Sequence, residues 1–271
     1  MSEISEPQIT EWKNAIGREV IEYQPLDKLA LRRYSRAVGL TDEGHAPPLP
    51  HWAFFLPCPL DAEIGPDGHP RRGDFLPAIT LPRRMFASAS IKFEGPVETG
   101  LEGQLSSRVA EVNHKSGRSG DLVFVEVDRT LVQEGSVRVR ERQTYVYRDW
   151  GDVLSMPETV TPAPDGEVWA PNEVNLFRFS AATFNGHRIH YDLPYTKEVE
   201  GYPALIVHGP FTAARLAGLA MRDGALAEFS FRAIAPIFLG QPIYLRKTTK
   251  NEVEAVRADG ATAMQAKVTY Q

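Results

Sequence analysis

An α+β fold built from two similar halves is what the sequence predicts, and three observations predict it. Short landmarks recur at nearly constant spacing: Arg33-Tyr34-Ser35 is echoed 145 positions later by Arg178-Phe179-Ser180, and Pro96-Val97-Glu98-Thr99-Gly100 is echoed 140 positions later by Pro236-Ile237-Phe238-Leu239-Gly240. Strand-like sequence follows each Pro-x-x-x-Gly landmark, and helical sequence precedes it. Residues 210–221 are apolar on nearly every side, which places this helix inside the protein rather than on its surface. Antiparallel strands must then wrap around it, which is the hot-dog arrangement. Two fused copies make a double hot-dog, each half a curled antiparallel sheet around a central helix.

The elements follow in order. Ile9, Trp12 and Ile16 stand at helical spacing and Gly17 stops the turn, giving a short amphipathic opening helix. This start is acidic and lacks an apolar core segment, so neither a signal peptide nor an organelle presequence is expected. Residues 122–127 and 137–147 are rich in Val, Phe and Tyr, with turn signals at Gly117, Gly120 and Gly135. From Gly151 to Val174 the prolines Pro157, Pro162, Pro164 and Pro171 break any periodicity, as in an extended connector. The expected division is therefore a first hot-dog domain over 1–150, a linker over 151–174 and a second domain over 175–271. In that second half, residues 243–256 and 261–270 flank Asp259-Gly260, a hairpin turn.

Composition narrows the function classes. The 271 residues are 42% hydrophobic and 24% charged, and 30 basic residues are interspersed with 35 acidic ones. There is thus no basic face for nucleic acid or an anionic membrane, and neither is expected as a partner. Cys58 is the sole cysteine, which excludes an internal disulfide or a cysteine-based metal site and fits a cytoplasmic location. No apolar run reaches the roughly 18 residues of a membrane span. No phosphate loop, dinucleotide fingerprint or His-Glu-x-x-His occurs, so no cofactor and no metal is expected. A metal at His187-x-x-His190 with Asp192 is the weaker reading, because no second matching cluster accompanies it.

The chemistry concentrates in the second half, where His187, His190 and His208 fall close together around the string Phe177 to Asp192. Histidine suits proton transfer near neutral pH. His208-Gly209-Pro210 adds a helix entrance: Pro210 suits the first helical position, and Gly209 leaves its N–H open to a developing anion at the positive end of the helix dipole.

These residues carry a resemblance. Phe179-Ser180, then Asn185-x-His187-x-x-His190-x-Asp192 and Val207-His208-Gly209, resemble the hydratase motif of MaoC-like type 2 3-hydroxyacyl-thioester dehydratases. His51-Trp52-Ala53-Phe54-Phe55, Asp67-Gly68-His69-Pro70, Leu81-Pro82-Arg83-Arg84-Met85 and Lys115-Ser116-Gly117-Arg118-Ser119-Gly120 are similar to the itaconyl-CoA or mesaconyl-C4-CoA hydratase branch, over nearly the whole chain. The resemblance implies reversible hydration of an enoyl-CoA, with citramalyl-CoA as product, in a double hot-dog whose first half shapes the acyl pocket. Where the wider family has an acidic residue five positions before the catalytic histidine, this chain has Asn185. An amide is no base at neutral pH, so His190 is expected to move the protons and Asn185 to position water. His187 is either a second proton carrier or an orienting group.

Arg83 and Arg84, adjacent in the first half, suggest that one of them grips a distal carboxylate or a CoA phosphate. Lys115 and Arg118 most simply belong to a hairpin turn, with a CoA-phosphate contact as the lesser reading. His45 lies ten residues after Ser35 as His190 lies ten after Ser180, but its Gly-His-Ala-Pro surroundings make it a loop residue. The rivals are a dehydratase working on acyl carrier protein, a hot-dog thioesterase and a non-catalytic acyl-thioester binder. A monomer or a small homo-oligomer fits a chain that already contains two copies.

Overall fold

The computed structural model describes residues 4–39, 46–117 and 120–271. Its elements are α1 (Glu6–Lys13), β1 (Glu19–Pro25), α2 (Lys28–Ala37), β2 (Arg83–Phe93), β3 (Glu102–Gly117), β4 (Gly120–Gln133), β5 (Ser136–Arg148), β6 (Glu167–Trp169), α3 (Glu173–Thr183), α4 (Leu193–Glu198), α5 (Gly209–Ala220), β7 (Leu226–Ala233), β8 (Ile243–Thr249), β9 (Glu252–Arg257) and β10 (Thr262–Tyr270). Among the described residues the ten strands form one sheet in the order β1-β3-β4-β5-β2-β7-β10-β9-β8-β6. The second five strands repeat the first five as a mirror-ordered set, and β2 pairs antiparallel with β7 where the two sets meet.

The repeat is visible in the register. Ser90 pairs with Ser230, and these two are themselves 140 positions apart, so the pseudo-two-fold axis relating the halves passes between them. The larger offset of 145 belongs to the helices. Asp27 caps α2 by accepting from the Ala30 N–H at 2.8 Å, and Asn172, 145 positions later, caps α3 by accepting from the Asn175 N–H at 3.1 Å. These two equivalent helices pack on each other, with the Tyr34 and Phe179 rings 6.4 Å apart.

α5 is the central helix of the second half. It packs on β7, β8, β9 and β10, and Phe211, Leu216 and Leu219 are buried together with its alanines. Each such large side chain contributes about 2 kcal/mol of hydrophobic stabilisation. Helix α5 begins at Gly209, one residue earlier than the proline rule suggests, and Pro210 follows within its first turn. The first half fills its centre differently: a 3-10 turn, Pro50–Ala53, brings Trp52, Ala53, Phe54 and Phe55 into the core. Trp52 donates its ring N–H to Glu141 at 2.9 Å and packs edge-on against Phe86 and Phe231. One hydrophobic core then runs through both halves, from Tyr34 and Ile91 to Phe229 and Val268.

A smaller core lies under α1, where Ile9 and Trp12 meet Val109, Val123 and Tyr147. The helix stops at Lys13, so Ile16, expected on the same face, is 46% exposed. The run 243–256 divides into β8 and β9 around Lys250-Asn251. The stretch 151–166 holds neither helix nor strand, and the remainder of the expected linker supplies β6, paired with β8, and the start of α3. No helix among the described residues is long and apolar enough to cross a membrane.

Candidate active site

A cleft of about 1370 Å³ lies between the halves, and most of the expected site residues converge on it: Asn185, His187, His190, Gly209, Arg83 and Arg84 all line it. The loop that carries the first three starts where α3 ends. Phe184 adopts φ 48°, a left-handed conformation that a non-glycine residue adopts at a strain of about 1 kcal/mol, and this turns the chain out of the helix toward the cleft.

His190 sits in the 3-10 turn Arg188–His190 and is buried. Its Nδ1 lies 2.8 Å from the Ile206 carbonyl, which can only accept, so Nδ1 carries the proton and Nε2 the lone pair. Burial, and to a lesser degree the His69 charge, lower its pKa to about 3 against the opposing effect of the Ile206 hydrogen bond. The side chain is therefore neutral and basic at Nε2 at neutral pH. His208 is stacked on it at 3.5 Å and shares a hydrogen bond through Nε2 with the Ser180 hydroxyl at 2.8 Å. Burial, and then His190, hold His208 far below the ordinary histidine range.

Gly209 opens α5 directly after His208, and its N–H has no acceptor among the described residues. A Cβ there would meet only the Phe86 carbonyl at 3.7 Å, an ordinary contact, so the protein itself does not require glycine at this position. What the missing side chain leaves open is the approach from the cleft to a helix N-terminus.

The Asn185 side chain is held by one hydrogen bond among the described residues. Its Oδ1 accepts from the His187 N–H at 3.0 Å and helps to shape the loop, and its amide NH2 makes no hydrogen bond among the described residues. His187 is held well below the ordinary range by burial, then by the charges of His69, His190 and Arg84, so it stays neutral; its ring stands edge-on to His190 at 5.4 Å.

The two arginines separate. Arg83 is buried, with Nε 3.0 Å from Glu200 Oε2 and a second bond to the Glu200 carbonyl, and its guanidinium lies over the rings of Tyr202 at 4.9 Å and Trp150 at 5.4 Å. It ties β2 to the segment after α4 through Nε and Nη2. Arg84 has no carboxylate partner among the described residues, and its charge depresses the pKa of His69 and His187. Lys115 is exposed at the end of the β3–β4 hairpin, its ammonium 5.2 Å from the Phe124 ring centre, and does not line the cleft. Arg118 and His45 lie outside the described residues. Asp192 caps α4 and pairs with Arg188 at 2.7 Å, so it is not placed for a metal with His187 and His190.

The sequence reading missed the contribution of the first half to this loop. The turn Asp67-Gly68-His69 repeats the pattern Asn185-Gly186-His187: Asp67 Oδ1 accepts from the His69 N–H at 3.0 Å just as Asn185 Oδ1 accepts from the His187 N–H. The two turns dock glycine against glycine. A Cβ on Gly68 would lie 1.9 Å from the Gly186 carbonyl oxygen, and one on Gly186 would lie 2.7 Å from the Gly68 oxygen. Arg188 fastens the pair, its N–H donating to the Asp67 carbonyl at 2.9 Å and its Nη1 to the Pro66 carbonyl at 3.1 Å. The His69 ring comes to rest 4.0 Å from that of His187. The signal that points to this pairing is the twofold occurrence of Asx-Gly-His.

Asp67, His69 and His187 bring one ligand atom each to within 4.8 Å of one another, a grouping that the sequence reading did not assemble. The adjacent Arg84 charge opposes a cation there, and both Asp67 oxygens already accept from His69.

Residues 44–239 match the family model described as hydroxyacyl-thioester dehydratase type 2. The chain belongs to that family. It is 41% identical over 237 residues to the mesaconyl-C(4)-CoA hydratase of Chloroflexus aurantiacus, covering 84% of this chain and 85% of that one. It is 27% identical over 113 residues to the mitochondrial hydroxyacyl-thioester dehydratase type 2 of Schizosaccharomyces pombe, covering 39% and 37%. Among solved structures it superposes on HtdX of Mycobacterium tuberculosis with a TM-score of 0.67 at 19% identity, covering 94% of this chain and all of that one. A M. tuberculosis protein described as having a double hotdog fold superposes with a TM-score of 0.55 at 10% identity over 93% and 95%. The double hot-dog fold is thereby established. As a type 2 dehydratase family member, the chain is a hydro-lyase that adds or removes water at an acyl thioester.

Proposed function

We propose that the chain catalyses reversible addition of water to the double bond of a short dicarboxylic enoyl-CoA, mesaconyl-C4-CoA or itaconyl-CoA, giving citramalyl-CoA. The observation that carries this reading is the fixed tautomer of His190, with its lone pair on Nε2, on a ring stacked against His208 at the entrance of the helix that Gly209 opens. Water loses a proton to a neutral histidine of the cleft as its oxygen bonds to the β-carbon. The double-bond electrons move onto the thioester oxygen, where the Gly209 N–H stabilises the enolate, and the α-carbon then takes a proton back.

Preference for a carboxylated acyl group rests on Arg84, whose guanidinium lines the cleft near Asp67 but makes no salt bridge among the described residues, and on the identity to the C. aurantiacus hydratase. The exposed single thiol of Cys58 suits a reducing compartment, and the cytoplasm is the proposed location. A panel of itaconyl-, mesaconyl-, crotonyl- and long-chain enoyl-CoA tests the reading, following loss of the enoyl-thioester absorbance together with free thiol. Turnover fastest on a carboxylated substrate, without thiol release, is expected. Stoichiometric release of thiol, or preference for the long chain, would overturn it.

A further inference from the structure

The position that would carry the second acid–base group in the catalytic loop holds Asn185, whose oxygen is tied to the His187 N–H. A carboxylate–histidine pair nevertheless stands in the cleft. Asp67 Oδ2 lies 3.2 Å from His69 Nδ1, and because a carboxylate only accepts, Nδ1 carries the proton and Nε2 the lone pair, the same tautomer that Ile206 imposes on His190. The turn holding this pair is fixed onto the catalytic loop by the Gly68–Gly186 contact and by Arg188. The rings of His69, His187 and His190 follow one another at centroid distances of 4.0 and 5.4 Å.

We propose that His69, oriented by Asp67, is a second proton-transfer group of this site and serves the water, while His190 serves the α-carbon. This deepens, and rests on, the hydratase reading above. The division of work follows from position. His190 lies under His208 at the entrance of α5, where Gly209 would hold the thioester oxygen, and the α-carbon is one bond from that carbonyl carbon. Water adds one atom further out, on the side where His69 stands.

In the hydration direction His69 Nε2 takes a proton from water as the water oxygen bonds to the β-carbon, and the double-bond pair moves through the α-carbon onto the thioester oxygen. The proton taken by His69 passes to His190 Nε2, across His187 or through solvent, and the pair returns to the α-carbon as it takes that proton from His190. Both histidines end neutral, as they began, with one water added. Asp67 acts through His69 and is a positioning residue. A carboxylate there stabilises the imidazolium that forms on His69, which the Ile206 carbonyl does only weakly for His190.

The charged and titratable groups around His69 are Asp67 in its own turn, Arg72 just beyond it, Arg84 at the start of β2, and His187 and His190 on the opposing loop. The test is the kinetics of His69→Gln and Asp67→Asn in the full chain, beside His190→Gln, with unfolding midpoints and product-CoA binding measured on each. His69→Gln is expected to lower kcat by about 10²-fold or more with KM within about threefold. Asp67→Asn is expected to lower kcat less, and to move the ionisation seen in kcat/KM toward lower pH. A kcat for His69→Gln within about threefold of the parent overturns the proposal, as does a parent activity that is lost to a chelator and restored by Zn²⁺, since the cluster is then a metal site. Should His69→Gln unfold, Asp67→Asn decides, because its amide oxygen preserves the bond from the His69 N–H; an unmoved profile with full kcat then overturns it. The two readings fail separately. Turnover retained by His190→Gln sinks the role of His190, whereas turnover retained only by His69→Gln sinks this inference alone.

Discussion

Replacing Gly68 by alanine tests whether the site depends on the turn donated by the first half. Gly68 adopts φ +86°, where an L-residue costs about 1 kcal/mol more than glycine. The new Cβ would also stand 1.9 Å from the Gly186 oxygen and 2.8 Å from its carbonyl carbon, both backbone atoms of the opposing loop. Relief to an ordinary contact near 3.5 Å requires the turns to part by roughly 1.5 Å. At that separation the Arg188 N–H to Asp67 and Arg188 Nη1 to Pro66 bonds, now 2.9 and 3.1 Å, no longer form, at about 1 kcal/mol each. The docking thus loses roughly 3 kcal/mol, while the shared hydrophobic core is untouched. The turn should therefore undock before the protein unfolds. Turnover, followed by loss of enoyl-thioester absorbance, should fall about 10²-fold, as misplacement by about 1 Å typically does. Urea unfolding followed by tryptophan fluorescence should shift by no more than about 3 kcal/mol and stay cooperative. Gly100→Ala is the control, because φ +88° imposes the same backbone strain with nothing within 4 Å of the new methyl. A Gly68→Ala protein as active as the Gly100→Ala control would refute the reasoning.

Four further outcomes are expected. His190→Ala should lower kcat by about 10³-fold with an unchanged circular-dichroism spectrum; near-parental turnover would remove His190 from the mechanism. Gly209→Ala should leave the urea midpoint in place, since its methyl meets only the Phe86 carbonyl, yet lower kcat/KM about 10²-fold by blocking the approach to the N–H. Arg83→Met strands buried Glu200 and should destabilise by about 3 kcal/mol in urea, whereas Arg84→Gln should keep stability and raise KM about tenfold for a carboxylated acyl-CoA but not for crotonyl-CoA. Stability should also fall with acid. The folded-state pKa values of His187, His190 and His208 lie below the unfolded value of 6.5, so the unfolded chain binds more protons just below that pH. The contribution is complete above pH 6.5 and is lost as pH falls from there toward about 3, with up to about 1.4 kcal/mol per pH unit for each group. A urea midpoint that stays flat between pH 7 and 4.5 would contradict this.

The duplication was legible because its offsets are properties of structure: 145 is the spacing of the two helix caps, Asp27 and Asn172, and 140 is the spacing of Ser90 and Ser230, which pair across the sheet. Helix α5 was legible because residues 210–221 are apolar on nearly every side. The limits of the sequence were of two kinds. Local rules misplaced ends, as with Ile16, which lies past the last helical turn, and with the break between β8 and β9. Long-range pairings left no periodic trace. Nothing in Pro-Arg-Arg-Met shows that Arg83 points to Glu200, 117 positions away, while Arg84 keeps its charge in the cleft. Nor does local chemistry show that Asp67-Gly68-His69 faces Asn185-Gly186-His187, because the meeting is made by two glycine backbones rather than by complementary side chains.

That backbone contact makes catalysis conditional on an event distant in the chain. A ribosome that has released residues 1–150 has made the turn with Asp67 and His69 but not the loop that receives it, and a chain lacking that turn would still possess His190 and Gly209. Under the proposed division of work, neither stretch alone carries both proton-transfer groups, and full activity arises only when the two are seated together. Enzymatic activity in this protein would therefore report its own completed assembly.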